Sequence, residues 1–221
     1  MRNPLVIIFL KAPRAGWVKT RLAAAVGPER ALEMYRRLGA RQWNAIPAEF
    51  AAEAHYAPHG AAEEIKLWLG RRTRVRAQSG PGLGWRLERA LAGAFARGHR
   101  PVLVIGGDCP ALDAGTLRQA ESLLATVDAV LGPARDGGFY LLGLRAPQPG
   151  LLEEGIEWGT ERVLAQTRER LVRAGLSCAL LPEMEDIDDE DSLRRAVRDG
   201  AHWLDDTPDP MAAPLRIDRA G

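Results

Sequence analysis

Apolar runs of about six residues alternate along the chain with longer stretches whose apolar positions recur at helical spacing. This is the pattern of β-α units wound around a mainly parallel sheet. Leu5 to Leu10 is apolar without interruption, as expected of a strand covered on both faces. Pro28, directly after Gly27, opens a helix that should run to about Ile46, since proline suits the first helical position. Further strands are predicted near Phe50 to Tyr56 and over Thr73 to Gln78, Pro101 to Ile105, Ala129 to Leu131, Phe139 to Leu144 and Leu176 to Leu181. Helices are predicted over Ala61 to Leu69, Leu83 to Arg97, Thr116 to Ala125, Thr160 to Ala174 and Asp189 to Arg198. Gly70 and Gly98 end two of them, and Asp136-Gly137-Gly138 forms the turn before Phe139. No internal repeat is evident. The fold class is α/β, with one domain over residues 1–204 and an extended tail over 205–221.

Composition narrows the class of protein. At 221 residues, 46% hydrophobic and 27% charged, the chain can build one large core, which excludes collagen-like, low-complexity and disordered readings. The Leu5 to Leu10 run is far short of the roughly 20 residues of a bilayer span, and no leader-like segment or cleavage site follows it. The expectation is a cytoplasmic protein with no membrane partner. Two cysteines, Cys109 and Cys178, are too few for a disulfide framework or a structural zinc site.

The net charge of +1 conceals a split, because residues 1–108 carry 18 Lys/Arg against 8 Asp/Glu and residues 109–221 carry 12 against 21. The two halves could form a basic wall over an acidic floor, suited to a polyanion with a metal ion. They could equally be solvated helix faces that average out. The basic residues are scattered and not interleaved with aromatics, so nucleic acid is not the expected partner. Of the 30 basic residues only Lys11, Lys19 and Lys66 are lysines, and two of these lie between Lys11 and Arg21.

Four segments carry candidate chemistry. Leu10-Lys11-Ala12-Pro13-Arg14-Ala15-Gly16-Trp17-Val18-Lys19-Thr20-Arg21 leaves the first buried strand, where open α/β sheets bind ligands. Pro13 and Gly16 shape a turn, while Lys11, Arg14, Lys19 and Arg21 supply cations that could wrap a di- or triphosphate. It is not a P-loop, because Pro13 and Val18 stand where that motif needs glycine. Its plainer reading is a basic surface turn capped by Thr20. Gly106-Gly107-Asp108-Cys109-Pro110 presents one carboxylate at the end of a buried strand, either as an oxygen ligand for Mg²⁺ or Mn²⁺ or as a helix N-cap. Cys109 lacks a histidine in a suitable context and is not expected to be a nucleophile. In the turn Gly132 to Tyr140, Asp136 is exposed by Gly137 and Gly138, as a reactive acid or as part of a plain hairpin.

The fourth segment, Glu183 to Asp191, holds seven acids in nine residues without the spacing of a calcium loop. Asp189, Glu190 and Asp191 suit a helix first turn, which leaves Asp186 and Asp188 as second metal ligands. Gly80-Pro81-Gly82-Leu83-Gly84 imitates a dinucleotide fingerprint, but its third glycine comes one residue early and no acid follows about 20 residues on. This argues against a nicotinamide or flavin cofactor and leaves Gly80 and Gln78 as contacts to a base or ribose. Trp158 precedes a helix and could pack on the core or stack on a sugar.

Taken together, Lys11-x-Pro13-x-x-Gly16-x-x-Lys19-Thr20-Arg21-Leu22, Gly107-Asp108-Cys109-Pro110, Gly132-Pro133-Ala134-x-Asp136-Gly137-Gly138, Trp158-x-Thr160 and Asp186-Ile187-Asp188 resemble the bacterial DUF2064 family. Its members are glycosyltransferase-like proteins of the arsenosugar-biosynthesis and radical-SAM/selenodomain-associated type. The resemblance spans about residues 4 to 198 and rests on the order and spacing of five motifs. It implies a GT-A fold, that of the nucleotide-diphospho-sugar transferases, with cytidylyl- and guanylyltransferases as relatives. It further implies Asp108 and Asp188 as the metal pair, for Mg²⁺ or Mn²⁺. Leu10, Lys11, Pro13, Arg14, Gly16, Lys19, Gln78, Gly80 and Gly107 would then form the nucleotide and phosphate site. Lys19, Arg21 and Asp136 are the candidate catalytic groups, with Asp136, Gly137, Gly138 and Trp158 on the acceptor or sugar side. Two positions depart from the pattern: Asp189 stands where Thr is usual, and Gly82 where such loops often carry an acid.

The function expected is a metal-dependent glycosyl transfer from a nucleotide sugar to a small-molecule acceptor. The alternatives are CTP- or GTP-dependent nucleotidyl transfer with pyrophosphate release, and a non-catalytic nucleotide-binding module. A homodimer is compatible with either.

Overall fold

A computed structural model describes residues 3–204, so the tail expected over 205–221 lies outside the described residues. Seven strands form one sheet: β1 (Leu5–Lys11), β2 (Ala51–Ala57), β3 (Val75–Ala77), β4 (Val102–Ile105), β5 (Ala129–Pro133), β6 (Phe139–Leu144) and β7 (Cys178–Leu180). Their order is β3-β2-β1-β4-β6-β5-β7, and only β6 runs antiparallel to its neighbours. The helices are α1 (Thr20–Val26), α2 (Pro28–Ala45), α3 (Ala62–Leu69), α4 (Leu83–Ala96), α5 (Ala114–Leu123), α6 (Val163–Arg173) and α7 (Glu190–Arg198), with a closing 3₁₀ turn, His202–Leu204.

The solid apolar run of β1 follows from its central position. Val6, Ile8 and Leu10 face a layer made by α2, α3 and α5, where Tyr35, Trp43, Ile65, Trp68 and Leu117 pack. Leu5 and Ile7 face the opposite layer, with Leu87, Leu91 and Phe95 of α4 and Val163 and Leu171 of α6. A strand with helices on both sides has no wet face, so alternation disappears; each such buried Leu or Ile stabilises by about 1.5–3 kcal/mol. A third cluster joins Leu22 of α1, Met34 and Leu38 of α2, and Ile187 and Leu193 around α7. This cluster brings the far end of the chain back beside the loop after β1.

The predicted elements are all present, with shifted ends. β3 and β7 are three residues each, shorter than the apolar patterns around them, because both lie toward the sheet's edges and pair on one side only. α5 starts at Ala114, two residues before the predicted Thr116, because the Asp113 carboxylate accepts the Thr116 N–H at 2.8 Å. α6 starts at Val163 and not at Thr160. Sequence reasoning missed α1. Lys19, not Thr20, stands at its N-terminus, and no side chain caps it. No helix among the described residues is long and apolar enough to cross a membrane.

Candidate functional site

β1 and β4 are adjacent and parallel, so the loops leaving their carboxyl ends lie side by side. The β4 loop is fixed from behind. Gln42 of α2 donates a hydrogen bond to the Cys109 carbonyl, and Gly107 sits against Leu10, where a Cβ would come within 2.6 Å of Leu10 Cδ2. The Asp108 carbonyl then accepts the N–H of fully buried Ile187 at 3.0 Å. This one backbone bond clasps the Asp186-Ile187-Asp188 segment to the β4 loop, although nearly 80 residues separate them in sequence.

Lys19 joins the two carboxylates. Its ammonium lies 2.8 Å from Asp108 Oδ1 and 2.9 Å from Asp188 Oδ1, and its side chain is only 4% exposed. Arg21 holds the other Asp188 oxygen, Oδ2, at 2.9 Å. The contact with Asp188 is a directed hydrogen bond, whereas Asp108 Oδ1 is buried and has only the ion-pair contact. Burial lowers the Lys19 pKa, but Asp108 and Asp188 outweigh it and the net shift is upward, so the ammonium stays charged. Its backbone adopts φ 49° and ψ 44°, and among the described residues it is the only non-glycine at positive φ. That conformation costs about 1–2 kcal/mol relative to ordinary regions. The strain turns the Lys19 side chain inward while its carbonyl starts α1, accepting the Ala23 N–H at 2.8 Å.

A third carboxyl, half-buried Asp186, is pushed up to about 7 by burial and by the negative charges of Asp108, Asp188 and Asp136, against the pull of Lys19. Carboxylate oxygens are the ligands that Mg²⁺ and Mn²⁺ take, and one ammonium touches both members of the pair. Asp108 and Asp188 are therefore within reach of a single cation. Among the described residues no group of three or more His, Cys, Asp or Glu side chains is arranged to hold a metal. The cluster is thus two carboxylates sharing one ammonium.

These groups open on a cleft of about 490 Å³, which Leu10, Lys11, Lys19, Arg21, Gln78, Asp108 and Asp188 all line. The Gln78 amide nitrogen is engaged, donating to the carbonyls of Leu10 and His55 at 3.2 and 2.9 Å. Pro13, Gly16 and Arg14 are in the turn beyond, and Arg14 is already held in a bidentate pair with Glu64 at 2.6 and 2.9 Å while lying over Trp17. Gly80 packs on Trp85, and its carbonyl accepts from Arg86 Nε. Asp136, Gly137, Gly138 and Trp158 are not in the lining of this cleft. Asp136 is exposed and accepts the Gly138 N–H at 2.8 Å. A Cβ on Gly137 would stand 2.2 Å from the Glu161 carbonyl oxygen. Half-buried Trp158 meets Phe139 edge to face, 6.0 Å between ring centroids. Cys109 is buried and its thiol is pushed up to about 12, mainly by burial, in keeping with its exclusion as a nucleophile.

Tyr35 and Arg86 are polar cleft residues that sequence reasoning missed. The Tyr35 hydroxyl accepts the Lys11 N–H at 2.8 Å and donates to the Lys11 carbonyl, which fixes the end of β1. Tyr35 reaches the cleft from the core face of a helix, and such a position carries no local mark. Arg86 also lines the cleft, and its signal was the glycine-rich turn just before it.

Residues 44–160 match the model of the family DUF2064, described as an uncharacterized protein conserved in bacteria. The chain belongs to this family. It is also 32% identical, with a TM-score of 0.84, to the crystal structure of a protein from Desulfovibrio desulfuricans named as a nucleotide-diphospho-sugar transferase; the match covers 91% of this chain and 90% of that one. The fold is that of the nucleotide-diphospho-sugar transferases, as the family resemblance implied. More distant likenesses share the fold alone. An inositol-1-phosphate CTP transferase from T. maritima is 11% identical at TM-score 0.56, over 93% of this chain and 97% of its own. A Mycobacterium tuberculosis protein crystallised with manganese is 18% identical at TM-score 0.53, over 89% and 98%. No curated protein matches the chain.

Proposed function

We propose that the chain is a divalent-metal-dependent transferase acting on a nucleotide-activated donor, with a nucleotide sugar as donor and a small molecule as acceptor. The observation that carries this reading is the Lys19 ammonium between the Asp108 and Asp188 carboxylates, at the ligand-binding end of the sheet. The name borne by the D. desulfuricans protein and the manganese in the M. tuberculosis structure support it. Asp108 and Asp188 would hold Mg²⁺ or Mn²⁺, and the bound ion would neutralise charge developing on the leaving diphosphate. Lys19 and Arg21, with exposed Lys11 at the rim, would bind phosphate oxygens and hold the donor in register. Asp136, accessible at its turn, would take the proton from the acceptor hydroxyl.

A second reading, nucleotidyl transfer from CTP or GTP, is favoured by the same two cations, since Lys19 and Arg21 concentrate positive charge where a pyrophosphate would leave. Products separate the two. Incubation of the chain with nucleotide sugars or nucleoside triphosphates and Mg²⁺ or Mn²⁺ should release nucleoside diphosphate in the first case and pyrophosphate in the second. Asp108→Asn should lower metal-dependent turnover by about 100-fold or more. Unchanged turnover in that variant would overturn the metal assignment.

A further inference from the structure

Asp108 and Asp188 are in contact with Lys19 and Arg21, a formally neutral set of four, and Lys11 and Arg86 add two further positive charges to the cleft lining. Both oxygens of Asp188 are taken, Oδ1 by Lys19 and Oδ2 by Arg21, each at 2.9 Å. A divalent cation arriving alone would meet an ammonium already seated between its two ligands, and it would add two positive charges to a cleft whose lining already carries a positive surplus. Its shell would also be short of oxygens, since the described residues offer no third carboxylate in ligating reach. A phosphate chain resolves all three conflicts. It supplies negative charge, it supplies oxygens, and it offers the ammonium another partner.

We propose that Lys19 is a resident counterion that blocks the divalent-metal site, and that the phosphate chain of the nucleotide admits the metal by drawing the Lys19 ammonium away from Asp108 and Asp188. The proposal rests on the reading of the cleft as a metal and phosphate site, and adds to it an order of assembly: the free protein binds metal weakly, and phosphate and metal bind cooperatively. The position and chemistry of Lys19 fit this role. Its flexible stem lets a point charge swing between partners, which a planar guanidinium fixed in a fork would not do as freely. Its side chain is 4% exposed and lines the cleft together with both carboxylates, which are 36% and 35% exposed, so a phosphate chain entering the cleft meets all three groups.

The test is Mn²⁺ binding to the full chain without any nucleotide, followed by the electron paramagnetic resonance of free Mn²⁺. Lys19→Met should bind Mn²⁺ at least tenfold more tightly than the wild type, while Lys19→Arg, which keeps the cation, should not. Lys19→Gln serves if the Met variant fails to fold. Equal affinity in wild type and in the neutral variants overturns the proposal. In the Lys19→Met background, adding Asp108→Asn should abolish the tight binding. If it does not, the metal lies elsewhere and the underlying reading of the site fails, which is a separate outcome. The wild type can be followed directly, since it has only three lysines. In ¹³C-lysine NMR, inorganic pyrophosphate without metal should shift the Lys19 Cε resonance, identified by its loss in Lys19→Met. A resonance that stays in place at saturating pyrophosphate overturns the exchange.

Discussion

At the scale of single residues, close-contact distances decide what a position tolerates. Gly84, third glycine of the imitation fingerprint, is an example. A Cβ there would stand 2.0 Å from the Leu152 carbonyl oxygen and 2.7 Å from Trp158 Nε1. Alanine in a helix is normally favoured over glycine by about 1 kcal/mol, but collision with backbone cannot be relieved by a rotamer change. Gly84→Ala is therefore expected to destabilise the protein by about 1–3 kcal/mol net, read from urea denaturation; a gain in stability would show that α4 does not pack as described. The same residue scale explains the departure at position 189. Asp189 accepts the Ser192 N–H at 2.9 Å as the N-cap of α7, a task that threonine also performs. The sequence marked Asp108 and Asp188 as candidates, and the structure brings both to one ammonium. Their joint occupation by Lys19 was not legible in the sequence, because no sequence pattern specifies which ammonium fills a space enclosed by three separate segments.

At the scale of elements, long periodic segments were legible and short ones were not. α1 has seven residues between strained Lys19 and Gly27, too few for a 3.6-residue period to stand out, and its burial is limited to Leu22. It forms because Leu22 packs in the cluster with Ile187 and Leu193, a contact between opposite ends of the domain. α7 shows how an element positions the site. Ser192 Oγ accepts the N–H groups of both Asp188 and Asp189 at 3.0 Å, and Asp189 caps in return. The capping box therefore fixes the backbone of the proposed metal ligand. Asp189→Ala should cost about 1 kcal/mol, or roughly 2–4 °C in Tm, and should also weaken Mn²⁺ binding in the presence of pyrophosphate. Asp189→Thr should restore both. If Tm falls while Mn²⁺ affinity is untouched, the cap does not govern the placement of Asp188.

At the scale of the molecule, the split of charge between the halves has a mixed outcome. Many of the charges pair locally on the surface, as Arg173 does with Glu169, Arg194 with Glu190 and Arg162 with Glu157. Such exposed pairs contribute little. Lys19 and Arg21 instead reach across from the basic half to Asp188. Under the opposite face of the sheet, buried Glu53 gathers His55, Arg76 and Arg97 at 3.1, 3.0 and 2.7 Å. Burial alone would raise its carboxyl, but these partners hold it near 2, below its ordinary 4.5. A depressed carboxyl adds stability above its unfolded-state value and loses it as pH falls through the folded one. Glu53 should therefore steepen the acid loss of Tm between about pH 4.5 and pH 2. Glu53→Gln should flatten that limb and lower Tm at pH 7, and an unchanged acid limb would show that the cluster does not drive it. The sequence by itself determined the α/β class, the strands and the long helices, because apolar periodicity is local. Tertiary structure alone decided the antiparallel course of β6, the existence of α1, the engagement of Arg14 by Glu64 and the seating of Lys19 between Asp108 and Asp188. Each of these depends on contacts between segments far apart in the chain, whose energies exist only once the layers have closed around the sheet.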